Sequence, residues 1–473
     1  MRELIFTMQE KYSEFLSDES GFSGSAESIS FPRSEEEIRK ILNELPYDMP
    51  VTVQGAKTGI TGAAVPEGGH ILNLSRMNAV KGMETENNGC VVFLRAEPGI
   101  TLANLKKEIA RLDTGKPVFW PPDPTEDSAS LGGCAALNAG GLCSPLYGET
   151  RDYIEAVQLM DRRGHTRKIR REDRAVLSSG RTVQELDAVL GREGITGILT
   201  EICLRLIPKP ESMWGISFFF RDESAAAGFL DQLKEQGIQN RSAGIAAAEY
   251  LDRAVLSFIE EERENLSEIQ GIPSVPEGTG GMVYLELHGD EESVEKTAEG
   301  LLAAAEESGI DPEKTWAVSG EGEIEKMHAF RHAAAEMANR RIRSVQRKDP
   351  RITKLATDMR PAGMPLQKLF EKYRADAAEY SLDLCIFGHA AENHLHVNLL
   401  PEDYESYLRG ISLLRKWAAE TAESGGSIIG EHGIGKLKKM TLGPAIPEEY
   451  ISFCQDLKKI YDRDCLINRG NIL

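Results

Sequence analysis

Three stretches rich in glycine and other small residues set the strongest limit on this fold, because each leads into or out of a strand candidate. The first runs Gln54-Gly55-Ala56-Lys57-Thr58-Gly59-Ile60-Thr61-Gly62-Ala63-Ala64-Val65-Pro66-Glu67-Gly68-Gly69. The second begins Pro121-Pro122-Asp123-Pro124 and resumes at Ser130-Leu131-Gly132-Gly133-Cys134-Ala135-Ala136-Leu137-Asn138-Ala139-Gly140-Gly141. The third is Gly194-Ile195-Thr196-Gly197-Ile198-Leu199-Thr200-Glu201. Without side chains in the way, backbone can approach a ligand closely, and its N–H groups can converge on an anion such as a pyrophosphate. One such loop reads equally well as a tight turn. Three are hard to explain as turns alone. No G-x-G-x-x-G follows a strand candidate, so a nicotinamide site of the doubly wound kind is not supported.

Around these loops, Val51-Thr52-Val53, His70 to Leu74 and Cys90 to Leu94 read as strands, and Leu102 to Leu112 as a helix. Ser34-Glu35-Glu36-Glu37 ahead of Ile38, Ile41 and Leu42 predicts a capping box opening an amphipathic helix. Pro208 to Met213 is a plausible boundary. Beyond it, strand candidates (Ile216 to Phe220, Met282 to Leu287) alternate with Ala/Glu-rich helices at Glu291 to Ser308 and Gly322 to Asn339, an α+β pattern.

The net charge of −20 over 473 residues argues against nucleic-acid binding, since the one dense basic run, Arg340 to Lys348, sits beside acidic helices. No stretch reaches the roughly 18 apolar residues needed to span a bilayer. The N-terminus lacks the apolar core of a signal peptide. Seven scattered cysteines without a CxxC read as reduced thiols of a cytoplasmic protein.

Four of the nine histidines fall between residues 389 and 432. In Gly388-His389-Ala390-Ala391-Glu392-Asn393-His394-Leu395-His396-Val397-Asn398, a strand from 394 would put His394, His396 and Asn398 on one face. His389, across a turn, could then meet His396. A second group, Gly430-Glu431-His432-Gly433-Ile434-Gly435-Lys436, sets a carboxylate beside an imidazole in a glycine-flanked turn. Two imidazoles and a carboxylate with room for substrate make an open divalent-metal site; satisfied surface or core histidines are the alternative. The second group also satisfies G-x-x-x-x-G-K, but Leu437 stands where a phosphate-binding loop needs Ser or Thr, and two bulky ionisable groups fill its cradle.

From about residue 30 to the C-terminus the chain resembles the FAD-binding vanillyl-alcohol-oxidase-type family. The likeness is to the branch of D-lactate dehydrogenase, D-2-hydroxyglutarate dehydrogenase and the glycolate oxidase flavin subunit. The resemblance implies an α+β protein, with a two-part FAD-binding domain at 1–210 and an α+β cap (substrate) domain with an antiparallel sheet at 211–425. Residues 426–473 would return to the flavin site. It implies non-covalent FAD held by Gly55, Ala56, Lys57, Thr58, Gly59 and Gly62. Pro122, Asp123, Ser130, Gly132, Gly133, Asn138, Gly140 and Gly141 would form the second contact segment. Gly194, Gly197 and Ile198 would form the third, with Asn468 from the C-terminal segment.

It further implies that His389, His396 and Glu431 ligate zinc, manganese or iron, and that His432 is the catalytic base. Arg331 resembles the family's carboxylate-binding arginine and Lys354 a second basic contact, because a 2-hydroxy acid needs a cation for its carboxylate. The expected activity is metal-assisted oxidation of a D-2-hydroxy acid to the 2-oxo acid. An electron-transfer flavoprotein or other acceptor is the expected redox partner, and a homodimer is one assembly open to the chain. An alcohol or sugar oxidase on the same scaffold, or a non-catalytic electron-transfer subunit, are the alternatives.

The chain departs from the family pattern in five places. Gln54 stands where many members carry Arg, and Cys143-Ser144-Pro145-Leu146 replaces a more basic stretch. Ala391, Glu392, Asn393 and His394 replace Gly, Asp, Gly and Asn between the two outer histidines, which leaves His394 as a fourth ligand or substrate contact. Ala335 stands four residues after Arg331, where some relatives place a hydroxyl, and residues 340–353 look inserted.

Overall fold

A computed structural model describes residues 3–86, 91–235 and 243–473; Cys90, first residue of a strand candidate, lies outside them. The chain forms two compact units. One comprises Met1–Gly141, Gly148–Lys209 and Glu431–Leu473, the other Leu142–Tyr147 and Pro210–Gly430.

In the first unit, Glu35–Glu44 is a helix whose Ser34 side chain accepts the Glu37 N–H. The Glu37 carboxylate takes the N–H of Arg33 at 2.7 Å, one residue earlier than a capping box requires. Ile38, Ile41 and Leu42 face a core with Val51, Leu72, Met160, Ile198 and Ile467; burying each large aliphatic side chain stabilises by roughly 1.5–3 kcal/mol. The strands Phe6–Thr7, Ser28–Ser30, His70–Asn73 and Val51–Gln54 form one sheet in that order. A second sheet orders Val80–Glu86, Val91–Ala96, Ile198–Pro208, Ile154–Met160 and Thr166–Arg170. The glycine loops connect these strands. Val51 also bridges Ile467, so the last residues of the chain are part of this unit's core.

The second unit is built on a sheet ordered Trp316–Ser319, Ser212–Phe220, Gly281–Gly289, Gly244–Asp252, Asp383–His389, His394–Leu400 and Leu355–Ala356, with every pairing antiparallel. Strand Gly281–Gly289 is buried along both faces except at its final residue, as expected for a central strand. Helices Arg253–Glu262 and Glu321–Gln346 pack their apolar faces, including Ile259, Met327, Phe330 and Met337, on Tyr284, Met282 and Phe387 of the sheet. The expected helix at Gly322 to Asn339 runs on to Gln346. Residues 340–346 therefore continue a helix, and the basic run is neutralised locally, Arg340 by Glu336 and Glu262, Arg341 by Glu261. Among the described residues no helix is long and apolar enough to cross a membrane.

Candidate active site

In the sheet unit, strands Gly244–Asp252, Asp383–His389 and His394–Leu400 lie side by side, with Glu249 paired to His389 and His389 to His394. The reversal between the two histidine strands is a single 3-10 turn, Ala390–Glu392, closed by Asn393 at φ +55. Asn visits this left-handed conformation more readily than most residues, and the Asn393 side chain donates to the distant Met364 carbonyl at 2.8 Å. The substitution of Asn393 for a family glycine is thus compatible with the turn. As the 394–399 alternation predicts, His394 and His396 share a face, and the rings of His389, His394 and His396 pack together with centroids 4.9–5.5 Å apart.

Behind this imidazole group stands Glu249, fully buried. Its carboxylate lies 2.6 Å from Nδ1 of His389 and accepts Nε–H of Arg331 at 2.7 Å. Burial pushes the Glu249 carboxyl up, but His389 and Arg331 outweigh it and hold the group at about 2. An ionised carboxylate can only accept, so the Glu249 contact draws a proton to Nδ1 of His389, the tautomer in which a neutral imidazole would offer Nε2 to a metal. Arg331 projects from helix Glu321–Gln346 with its guanidinium 5.6 Å from the Phe387 ring centre. Its Nη2 is buried and has no hydrogen-bond partner among the described residues. His394 lies with Nε2 2.9 Å from Asp358 Oδ1, and its Nδ1 is likewise buried without a partner among the described residues. Lys354 is partly buried; burial, opposed by Cys385 and aided by Arg343, pushes its ammonium down to about 8.

In the other unit, Glu431 and His432 sit in the turn that opens helix Gly435–Leu442, with His432 Nε2 3.4 Å from Glu431 Oε1. The turn is fixed from two sides. Glu193, buried, accepts the N–H groups of Ile434 at 2.6 Å and Gly435 at 2.9 Å. A protein carboxylate therefore fills the anion seat that the G-x-x-x-x-G-K spacing suggested for phosphate, and Lys436 is engaged with Asn471 at 2.6 Å and the Gly62 carbonyl at 3.4 Å. Thr61 donates its hydroxyl to the His432 carbonyl at 3.2 Å and accepts Leu437 N–H at 2.9 Å. Thr61 lies in the first glycine loop and Glu193 directly precedes the third, so the His432 turn is tied to both.

The first loop has the form of an anion nest. Lys57 and Gly62 have positive φ, and none of the N–H groups of residues 57–62 finds a protein acceptor among the described residues. Successive unpaired N–H groups in such a loop are a binding surface for a diphosphate. Ser130 caps helix Leu131–Leu137 and accepts Ala56 N–H at 3.3 Å, locking the second loop to the first. A Cβ on Gly55 would run into the Ser130 hydroxyl, which is why glycine stands there. Gln54, in place of arginine, donates to the Phe15 and Ala64 carbonyls at 2.8 and 2.7 Å and so closes the loop. Lys57 points its ammonium at the Glu14 carbonyl and the Phe15 ring. Asp123 pairs with Lys106 at 2.7 Å. Asn138 caps its helix and bonds Glu149 and the Arg151 N–H. Asn468 accepts Val53 N–H at 2.7 Å and donates to the Glu193 carbonyl at 3.0 Å, so its side chain braces the loops from behind.

Glu249 and Glu193 were not singled out in the sequence. The available signal was a lone carboxylate inside an apolar strand, Ala246-Ala247-Ala248-Glu249-Tyr250-Leu251, and one between two glycines, Gly191-Arg192-Glu193-Gly194.

The first unit thus carries a glycine-rich loop with open N–H groups, and the second carries a packed group of imidazoles backed by a buried carboxylate. The family model for the FAD binding domain matches residues 26–170, and that for FAD linked oxidases, C-terminal domain, matches residues 209–472. The chain belongs to the FAD-linked oxidase family, and it is an FAD-binding oxidoreductase. It is 27% identical to a D-lactate dehydrogenase of Anaerostipes hadrus, over 97% of this chain and 92% of that one. It is 26% identical to glycolate oxidase subunit GlcD of Bacillus subtilis (94% and 88% covered), and 22% identical to D-2-hydroxyglutarate dehydrogenase of Stutzerimonas stutzeri (95% and 92%). Among solved structures, an alkyldihydroxyacetonephosphate synthase shares the fold at a TM-score of 0.66 and 16% identity, covering 95% of this chain and 76% of that one.

Proposed function

We propose that this chain oxidises a small D-2-hydroxy acid, of D-lactate or D-2-hydroxyglutarate type, to the 2-oxo acid, with non-covalent FAD and a divalent ion held by His389, His396 and Glu431. The observation that carries this reading is the Glu249 bridge, which sets the His389 tautomer and fixes Arg331 in one stroke. The donor set fits a divalent ion, since imidazole and carboxylate suit zinc, manganese or iron. The nest at residues 57–62 fits the FAD diphosphate.

Bound FAD supplies a two-electron acceptor, and the bound ion supplies Lewis acidity that lowers the pKa of a coordinated hydroxyl. The chain's own residues do the rest. Arg331 turns its unpartnered Nη2 to the substrate carboxylate and so selects which face of the carbon is presented. Lys354, charged below pH about 8, adds a second cation. His432 takes the hydroxyl proton as general base. The named relatives that act on D-lactate and D-2-hydroxyglutarate support the substrate class. The scattered cysteines without a CxxC fit a reducing compartment such as the cytoplasm.

The test is His432→Ala. The variant should purify with its flavin and be bleached by D-2-hydroxy acids at least about a hundredfold more slowly than the parent. Near-normal bleaching contradicts the role of His432. Bleaching insensitive to chelators and to the substrate's carboxylate would instead favour an alcohol or sugar oxidase.

A further inference from the structure

The sheet unit holds a second group of metal-type donors that takes no part in the reaction above. Cys143, in the segment Leu142–Tyr147, meets Glu286 and His288 of strand Gly281–Gly289, and one donor atom from each lies within 4.8 Å of the others. All three residues are buried. The Cys143 sulfur is 3.8 Å from Glu286 Oε1, and His288 Nε2 is 2.7 Å from that same oxygen. The other carboxylate oxygen is already taken: Tyr284 donates its hydroxyl to Oε2 at 2.8 Å, and His328 Nε2 lies 2.6 Å away. Oε1 therefore faces the thiol and the imidazole while Oε2 is held from behind. On its far side, His288 Nδ1 lies 2.8 Å from the Tyr147 hydroxyl.

We propose that Cys143, Glu286 and His288 form a zinc site that fastens the Leu142–Tyr147 segment to the sheet. The geometry is close to what the ion needs. A tetrahedral zinc with bonds of about 2.3 Å to sulfur and about 2.0–2.1 Å to nitrogen and oxygen separates S from O by about 3.5 Å and N from O by about 3.3 Å. From the distances observed, the sulfur has to close by a few tenths of an ångström, and the imidazole to open by about 0.6 Å. Charge also balances. Among the described residues no Lys or Arg bonds Glu286, so this buried carboxylate depends on its histidines for a positive partner. With zinc bound, a thiolate and a carboxylate neutralise the dication and His288 stays neutral, its Nδ1–H donating to Tyr147 as ligand histidines do to an orienting oxygen. Thiolate with imidazole and carboxylate is a donor set that favours zinc over magnesium or calcium. A fourth position remains for water.

Zinc K-edge X-ray absorption on the full chain dialysed against zinc tests this directly. The expected spectrum contains one sulfur neighbour at about 2.3 Å, lost in Cys143→Ser together with one zinc per chain. The group of His389, His396 and Glu431 offers only nitrogen and oxygen, so a sulfur neighbour reports this cluster and not the substrate site. Zinc surrounded by nitrogen and oxygen alone in the parent chain overturns the proposal, and this result is decisive even where the variant fails to fold. A sulfur neighbour that survives in Cys143→Ser overturns it equally. Retained hydroxy-acid oxidation without the sulfur signal removes this site and leaves the reaction standing; the opposite pair of results does the reverse.

Discussion

Glu249 and His389 are register partners on adjacent strands, and the carboxylate holds the imidazole Nδ1 at 2.6 Å while it grips Arg331 at 2.7 Å. One buried acid thus orients a candidate metal ligand and a candidate carboxylate anchor together. Glu249→Gln keeps the shape but can donate to His389 and removes the charge that balances Arg331. Second-sphere losses of this kind typically cost about 10–100-fold in metal affinity or activity. The expected outcome is a fall of that size in metal affinity, read by equilibrium dialysis, with FAD content unchanged.

Lys354 gives a pH signature. Its ammonium is pushed down to about 8 from 10.5, so in the folded chain it is charged below pH 8 and neutral above. The KM for an anionic substrate should rise as pH passes from 7 to 9, and Lys354→Met should raise KM at pH 7 and flatten that limb. The linkage to stability has a definite sign. Between about 8 and 10.5 the unfolded chain binds the proton that the folded chain has lost, so this group's contribution to stability rises with pH across that window and is lost as pH falls through 8. Denaturant titrations of the parent and Lys354→Met at pH 7 and 9.5 should converge at the higher pH.

Glu193 fixes the His432 turn through the Ile434 and Gly435 N–H groups. Glu193→Ala strands those buried donors, each unsatisfied buried group costing about 1–3 kcal/mol. The variant should unfold at lower urea, lose activity and bind the metal more weakly, because Glu431 sits in the same turn. The measurement pairs a urea melt with metal dialysis.

Gly55→Ala forces a methyl group against the Ser130 hydroxyl that joins the first two loops. Overpacking of this kind costs about 1–3 kcal/mol. Fluorescence titration of the apoprotein should show FAD binding weakened by about 5-fold to 150-fold, the range those energies convert to.

The sequence made some parts of this account readable and hid others for physical reasons. The strand through His394, His396 and Asn398 was legible because period-two alternation puts polar and apolar residues on opposite faces, and it appears as His394–Leu400. The glycine loops were legible because their composition admits few alternatives. Glu249 was not, since a buried acid is recognised only by partners brought from residues 331 and 389, far along the chain. The Glu193 brace was hidden for the same reason. The helix expected to stop at Asn339 runs on to Gln346, an extension hidden because its final turns are basic and lack the apolar stripe that marks the earlier ones. Asn468, expected at the cofactor, bonds the Val53 N–H and the Glu193 carbonyl, partners that only the folded chain brings to it.

The most direct test is anaerobic mixing of the purified flavoprotein with the D and L forms of lactate and 2-hydroxyglutarate, following flavin absorbance with and without prior chelation. Rapid bleaching by a D enantiomer, little by its L partner, and loss of bleaching after chelation with recovery on adding zinc, manganese or iron is the predicted result. A flavin that no D-2-hydroxy acid reduces in a metal-replete sample would contradict the proposed activity.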